Sequence, residues 1–133
     1  MFLLDTNICI YLMKGSFQSL ADKVLTVDPS ELAVSSVTVY ELEYGANKSN
    51  WGEKTRRNMH IFLSPFTILP FTEEDALAAG RIRAHLESQG TPIGAYDVQI
   101  AAQGVARGIT VVTHNTSEFS RVPNLMLEDW VEE

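Results

Sequence analysis

Phe2-Leu3-Leu4-Asp5-Thr6-Asn7-Ile8-Cys9-Ile10-Tyr11-Leu12-Met13 is the stretch that decides the fold of this chain. Phe2-Leu3-Leu4 reads as a short buried strand. Thr6-Asn7 can cap a helix running through Ile8 to Met13, and Gly15 stops it. Asp5 stands at the joint, on the carboxyl end of the strand. The same alternation continues outward. Phe17, Leu20, Ala21, Val24 and Leu25 recur at helical spacing, and Asp28-Pro29 marks a turn. Leu32-Ala33-Val34-Ser35 is a second strand. Ser36 or Thr38 can cap the next helix, and a Thr38–Glu41 capping box fits its start. Ser49 or Asn50 opens a helix that ends near Pro65, and Thr67-Ile68-Leu69 forms a third strand. Thr72-Glu73-Glu74-Asp75 starts a helix reaching Gly90, with acids in the first turn to suit its dipole. Thr91-Pro92-Ile93-Gly94 leads into an alanine-rich helix that Gly108 ends. Ile109 to Thr113 is the clearest buried strand, and Leu125-Met126-Leu127 is the last.

Short apolar strands alternating with helices predict an α/β fold whose central, mainly parallel sheet is covered on both faces. The length of 133 residues fits a single domain, 1–133, with no linker or repeat. The lone Cys9 forms no internal disulfide and suits a reducing compartment. Met1 to Leu4 is too short and lacks the basic flank of a signal peptide, and no run is long enough for a membrane helix. A cytoplasmic location is expected.

Four acids sit where elements begin or end: Asp5 after the first strand, Glu41 near the start of the third helix, Asp97 after Gly94-Ala95-Tyr96, and Glu118 past the Ile109–Val112 run. In a parallel sheet, the ligand site lies beyond the carboxyl ends of the strands, so one rim could gather them. Carboxylates so gathered repel one another and call for a divalent cation, the usual partner of phosphate chemistry. Taken singly each has an ordinary explanation: caps for Asp5 and Asp97, a capping box for Glu41, surface charge for Glu118.

Other chemistries lack support. No GxGxxG or GxxxxGK[ST] loop is present, which argues against dinucleotide and P-loop nucleotide use. His60, His85 and His114 have no zinc-ligand spacing, and only His114 lies beside a candidate acid. The net charge of −7 runs against the basic footprint of nucleic-acid binders. Lys48, Lys54, Arg56 and Arg57 nevertheless cluster as candidates for guiding RNA, with a solvated helix face as the plain alternative.

Together these residues carry a resemblance. Leu4-Asp5-Thr6-Asn7, Tyr40-Glu41-Leu42 with Tyr44-Gly45-Ala46, Gly90 to Gly94 leading to Asp97, Val112-Thr113-His114-Asn115 with Glu118-Phe119, and Leu127-Glu128-Asp129-Trp130 run in order from end to end. The chain resembles the PIN-domain ribonuclease toxins of the VapC type, from type II toxin–antitoxin modules. The resemblance implies a three-layer α/β/α sandwich, a homodimer, and an acidic pocket for Mg2+ or Mn2+. It also implies a VapB-like antitoxin partner and an RNA substrate, with tRNA the first class to expect. Asp5, Glu41 and Asp97 match the family's most regular acids. Asn115 and Glu118 share the fourth position, with Glu118 favoured as the ligand. Thr6, Asn7, Thr113 and Asn115 are expected to orient the acids or the substrate. Tyr96 departs from the Asn that many relatives carry there. Two other functions stay open: a catalytically weak RNA- or protein-binding module, and an aspartate-dependent phosphohydrolase. Asn7 weakens the latter, since those enzymes place a second Asp at that position.

Overall fold

The computed structural model describes residues 1–132. Its strands are β1 (Phe2–Leu4), β2 (Leu32–Ser35), β3 (Thr67–Leu69), β4 (Thr110–Val112) and β5 (Leu127–Glu128). They form one parallel sheet in the order β3-β2-β1-β4-β5. The helices are α1 (Thr6–Lys14), α2 (Gln18–Leu25), α3 (Ser36–Lys48), α4 (Gly52–Leu63), α5 (Glu73–Ser88), α6 (Ala95–Arg107) and the short α7 (Thr116–Phe119). Among the described residues no helix is long and apolar enough to cross a membrane.

Period-two alternation builds the layers. Leu3, Ala33 and Val111 point to one face, where they pack with Ala78, Ile82 and Leu86 of α5 and Val98, Ala101 and Ala102 of α6. Leu4, Val34 and Val112 point to the other, against Ile8 and Cys9 of α1, Leu20 of α2, Leu42 of α3 and Met59 of α4. The central strands β1, β2 and β4 are therefore covered on both faces, which is why they read as near-continuous apolar sequence. The result is the expected three-layer sandwich.

Boundaries differ in instructive places. Asp5, rather than Thr6 or Asn7, caps α1, its Oδ1 accepting the Ile8 N–H at 2.8 Å. Ser35 caps α3 through the Val37 N–H, so Thr38 and Glu41 lie inside the helix and their capping box does not form. α4 starts at Gly52 without a side-chain cap. α5 starts on a capping box that Thr72 and Asp75 close. The short helix α7 goes unpredicted because four residues carry no periodicity.

Gly104 lets α6 lie close against the sheet. A Cβ there would stand 2.7 Å from Val111 Cγ2 and 2.8 Å from Leu125 Cδ1. At the far end of α6, Arg107 Nη2 pairs with the buried Asp75 at 2.9 Å and fastens α6 to α5. These contacts fix the height at which α6 presents Asp97.

Candidate active site

The strand order runs outward from β1 in both directions: β2 and β3 on one side, β4 and β5 on the other. The crevice between the carboxyl ends of β1 and β4 is the topological switch point, where open α/β sheets bind ligands. Asp5 follows β1 and Thr113 follows β4, in adjacent register. The Asp5 N–H donates to Val112 O at 3.1 Å, so the backbone itself places the carboxylate in the crevice.

Asp5 is almost fully buried at 2% exposure. The Thr113 hydroxyl and the Ile8 N–H hydrogen-bond its carboxylate, which favours the ionised form. Burial outweighs them, with Glu41 and Asp129 adding repulsion, and pushes Asp5 up to about 6. Asp97 occupies the first turn of α6, just after the uncapped Gly94. It too rises to about 6, by burial first and then by the fields of Asp5, Glu118 and Glu41. Two carboxyl groups from opposite ends of the chain thus feel one another and the same neighbours. All four predicted acids are close enough to interact electrostatically, Asp97 feeling the charges of the other three.

Threonines order this rim. Thr6 Oγ1 donates to Glu41 Oε2 and lies 2.9 Å from the hydroxyl of the buried Thr38. Thr113 Oγ1 also accepts the Asn115 N–H at 3.0 Å. Asn115 Nδ2 donates to Glu118 Oε2 at 2.8 Å, so these two act as one unit rather than as competitors for the fourth position. Asn7 is exposed on the first turn of α1. Two groups escaped the sequence reading. Thr38, a cap candidate by sequence, instead meets Thr6 from inside α3. Asp129 follows β5, as Asp5 follows β1, and its field reaches Asp5 while its Oδ2 lies 2.9 Å from His114 Nδ1. The rule that found Asp5, an acid just past a strand, would have found it had β5 been placed one residue later.

The basic cluster divides. Arg56 bonds Glu43 at 2.7 Å and Asn47 at 3.0 Å, fastening α4 to α3. Lys48 lies 5.3 Å over the Tyr44 ring. Lys54 and Arg57 are exposed beside a groove they share with Asn47, Asn50 and Trp51.

The donor chemistry suits a hard cation: carboxylate oxygens, two of them held at raised pKa values that positive charge would relieve. Among the described residues, however, no three acid, histidine or cysteine side chains already converge as a closed cation cage.

Comparison with known proteins agrees with this architecture. Residues 2–125 match the PIN domain model. The chain is 39% identical to the tRNA(fMet)-specific endonuclease VapC of Salmonella typhimurium over 97% of both proteins. It is 38% identical to ribonuclease VapC2 of Rickettsia felis, again over 97% of both. Its structure superposes on a chain of DNA-bound VapBC from Salmonella typhimurium with a TM-score of 0.91 and 39% identity, over 97% of each chain. For VapBC2 from Rickettsia felis bound to a promoter DNA fragment the TM-score is 0.90 at 36% identity, over 97% of this chain and 98% of that one.

Proposed function

The chain belongs to the PIN-domain family of VapC-type ribonucleases, and from that premise we propose that it is the endoribonuclease toxin of a type II toxin–antitoxin module. The observation that carries the reading is the meeting of Asp5, Glu41, Asp97 and Glu118 at the sheet's switch point. Nothing in the packing of the core requires four acids there, and their repulsion costs stability. A phosphodiester and its counter-cation supply the missing chemistry.

Asp5 and Asp97 would hold Mg2+ or Mn2+, with Glu41 and the Asn115–Glu118 pair completing the set. Such an ion supplies Lewis acidity and charge neutralisation at the scissile phosphate. The chain's own residues do the rest. Thr6 and Thr38 hold Glu41, Thr113 holds Asp5, and Asn115 aims Glu118. Ionised carboxylates at the rim orient a water and accept its proton as it attacks the phosphorus. In-line attack by water leaves a 5′-phosphate and a 3′-hydroxyl; attack by the substrate's own 2′-hydroxyl would leave a 2′,3′-cyclic phosphate.

The buried Asp5, engaged by Ile8 and Thr113, is poorly presented as a covalent nucleophile, which disfavours the phosphohydrolase reading. tRNA is the proposed substrate class, and tRNA(fMet) is the first to test because a 39%-identical relative is named for it. A VapB-like antitoxin, assembly as a homodimer and a cytoplasmic site of action belong to the same proposal. Solved VapBC complexes of similar chains support the first.

Sequencing of RNA 5′ ends after expression of the wild type and of Asp5→Asn tests the whole reading. Discrete new ends in tRNA with the wild type alone are expected. Identical profiles from the two would refute it.

A further inference from the structure

We propose that Tyr40 and Tyr96 form a stacking platform for one unpaired base of the RNA substrate, at the edge of the carboxylate rim. The proposal rests on the nuclease reading and names what grips the substrate. Each tyrosine immediately precedes a candidate carboxylate: Tyr40 before Glu41 on α3, and Tyr96 before Asp97 on α6. Neighbouring helix residues point about 100° apart, so a side chain next to a pocket acid lines the pocket's edge. The two rings meet across that edge with centroids 5.6 Å apart and planes at 49°. Their hydroxyls are 3.3 Å apart, with Tyr96 donating to Tyr40.

Both rings remain open to solvent, at 59% and 42% exposure, and Tyr44 one turn along α3 extends the surface at 59%. A single exposed aromatic is ordinary. Here rings from two helices already meet beside the candidate acids before any ligand arrives, with their centroids 5.6 Å apart. Little freedom is then lost when a base lands on them.

Charge points the same way. The chain carries −7 overall, and its acids crowd the very place a phosphate must enter. Arg56 is engaged by Glu43, and Lys54 and Arg57 lie on α4, away from the two tyrosines' own helices. A non-ionic contact beside the acids would add affinity that their charge does not oppose, and every base offers a π face to an aromatic ring. A base inside a duplex is already stacked, whereas one in a loop is free, so the platform selects unpaired RNA.

The test uses a short single-stranded RNA carrying 2-aminopurine, the same strand in a duplex, and tRNA for steady-state kinetics. Fluorescence of the single strand should be quenched on mixing with the wild type, and that of the duplex should not. Tyr40→Leu and Tyr96→Leu should lose the quench and raise KM by roughly 5- to 150-fold, the range for one stacked base. Tyr96→Phe, which keeps the ring, should retain most of both. Unchanged quench and KM in the leucine variants overturn the proposal. So does a change from dimer to monomer in those variants at unchanged KM, which assigns the pair to a second copy of the chain. A wild type that cuts and holds no RNA overturns the nuclease reading and the platform together. Wild-type cleavage indifferent to the tyrosines overturns the platform alone.

Discussion

Asp5 Oδ1 accepts the Ile8 backbone N–H at 2.8 Å, so the acid proposed to hold a cation also caps the helix that follows it. Substitutions should separate the two roles. Asparagine caps as well as aspartate but brings no charge. Asp5→Asn should fold at least as stably as the wild type while losing more than ~100-fold in RNA cleavage, beyond what supporting residues at metal sites typically cost. Asp5→Ala should be about 1 kcal/mol less stable than Asp5→Asn in urea unfolding, having lost the cap as well.

Thr6→Val should uncouple Glu41 from its support. The buried Thr38 hydroxyl loses its partner, at a cost of about 1–3 kcal/mol. Cleavage should fall about 10- to 100-fold, as for other residues that orient a ligand. Full activity in Thr6→Val would show that Glu41 needs no positioning.

Stability should run opposite to the usual acid response. Asp5 and Asp97 sit at about 6 in the fold, against roughly 3.9 for aspartate in an unfolded chain. Between about pH 4 and 6 the folded state therefore holds protons that the unfolded state has released. Stability contributed by these groups falls as pH rises through that window, and the full cost stands above it. Without divalent ions, the urea midpoint should be higher at pH 5 than at pH 7.5. Asp97→Asn should flatten this slope. Adding Mg2+ at pH 7.5 should raise the midpoint by mass action. A cation-free midpoint that climbs from pH 5 to 7.5 would contradict the assignment.

Arg56 and its neighbours should behave differently from one another. Arg56→Ala breaks the contact with Glu43 and should cost no more than about 1 kcal/mol, because both side chains are more than a third exposed. Lys54→Glu with Arg57→Glu should leave stability nearly unchanged, weaken RNA cleavage and flatten its salt dependence. Unaltered kinetics would mark the pair as a plain solvated face.

Gly104→Ala should destabilise the protein by about 1–3 kcal/mol, since the new methyl meets Val111 and Leu125 at contact distances no relaxed core permits. α6 would shift outward and carry Asp97 with it. Activity should fall more than the loss of folded protein explains, measured per mole of folded enzyme.

Pattern alone determined much of this protein. The apolar runs Phe2–Leu4, Leu32–Ser35, Thr67–Leu69 and Ile109–Thr113 specified four strands; for all but the edge strand Thr67–Leu69, burial on both faces leaves no polar alternation and marks the run plainly. The stops at Gly15 and Gly108 were equally plain: both adopt left-handed φ, at 66° and 63°, where a side chain is strained. Asp5 and Asp97 were likewise legible as candidates, since each stands at the edge of an element, whereas Glu41 and Glu118 lie within α3 and α7. Sequence could not say which edge residue serves as a cap and which as a bridge. Asp5 took the cap from Thr6 and Asn7, Ser35 took it from Ser36 and Thr38, and Thr38 turned inward to Thr6. Those outcomes depend on what packs across the sheet, 32 residues away in the case of Thr6 and Thr38.

Tertiary structure alone decided the strand order that puts β4 beside β1, and with it the crevice where Asp5 meets Asp97. It alone joined Asn115 to Glu118, brought Asp129 within reach of Asp5 and set Tyr40 against Tyr96. Local propensity acts over a few residues and fixes the elements. Long-range charge repulsion and hydrogen bonding act only once the sheet has closed the distance, and they turn scattered acids into a site.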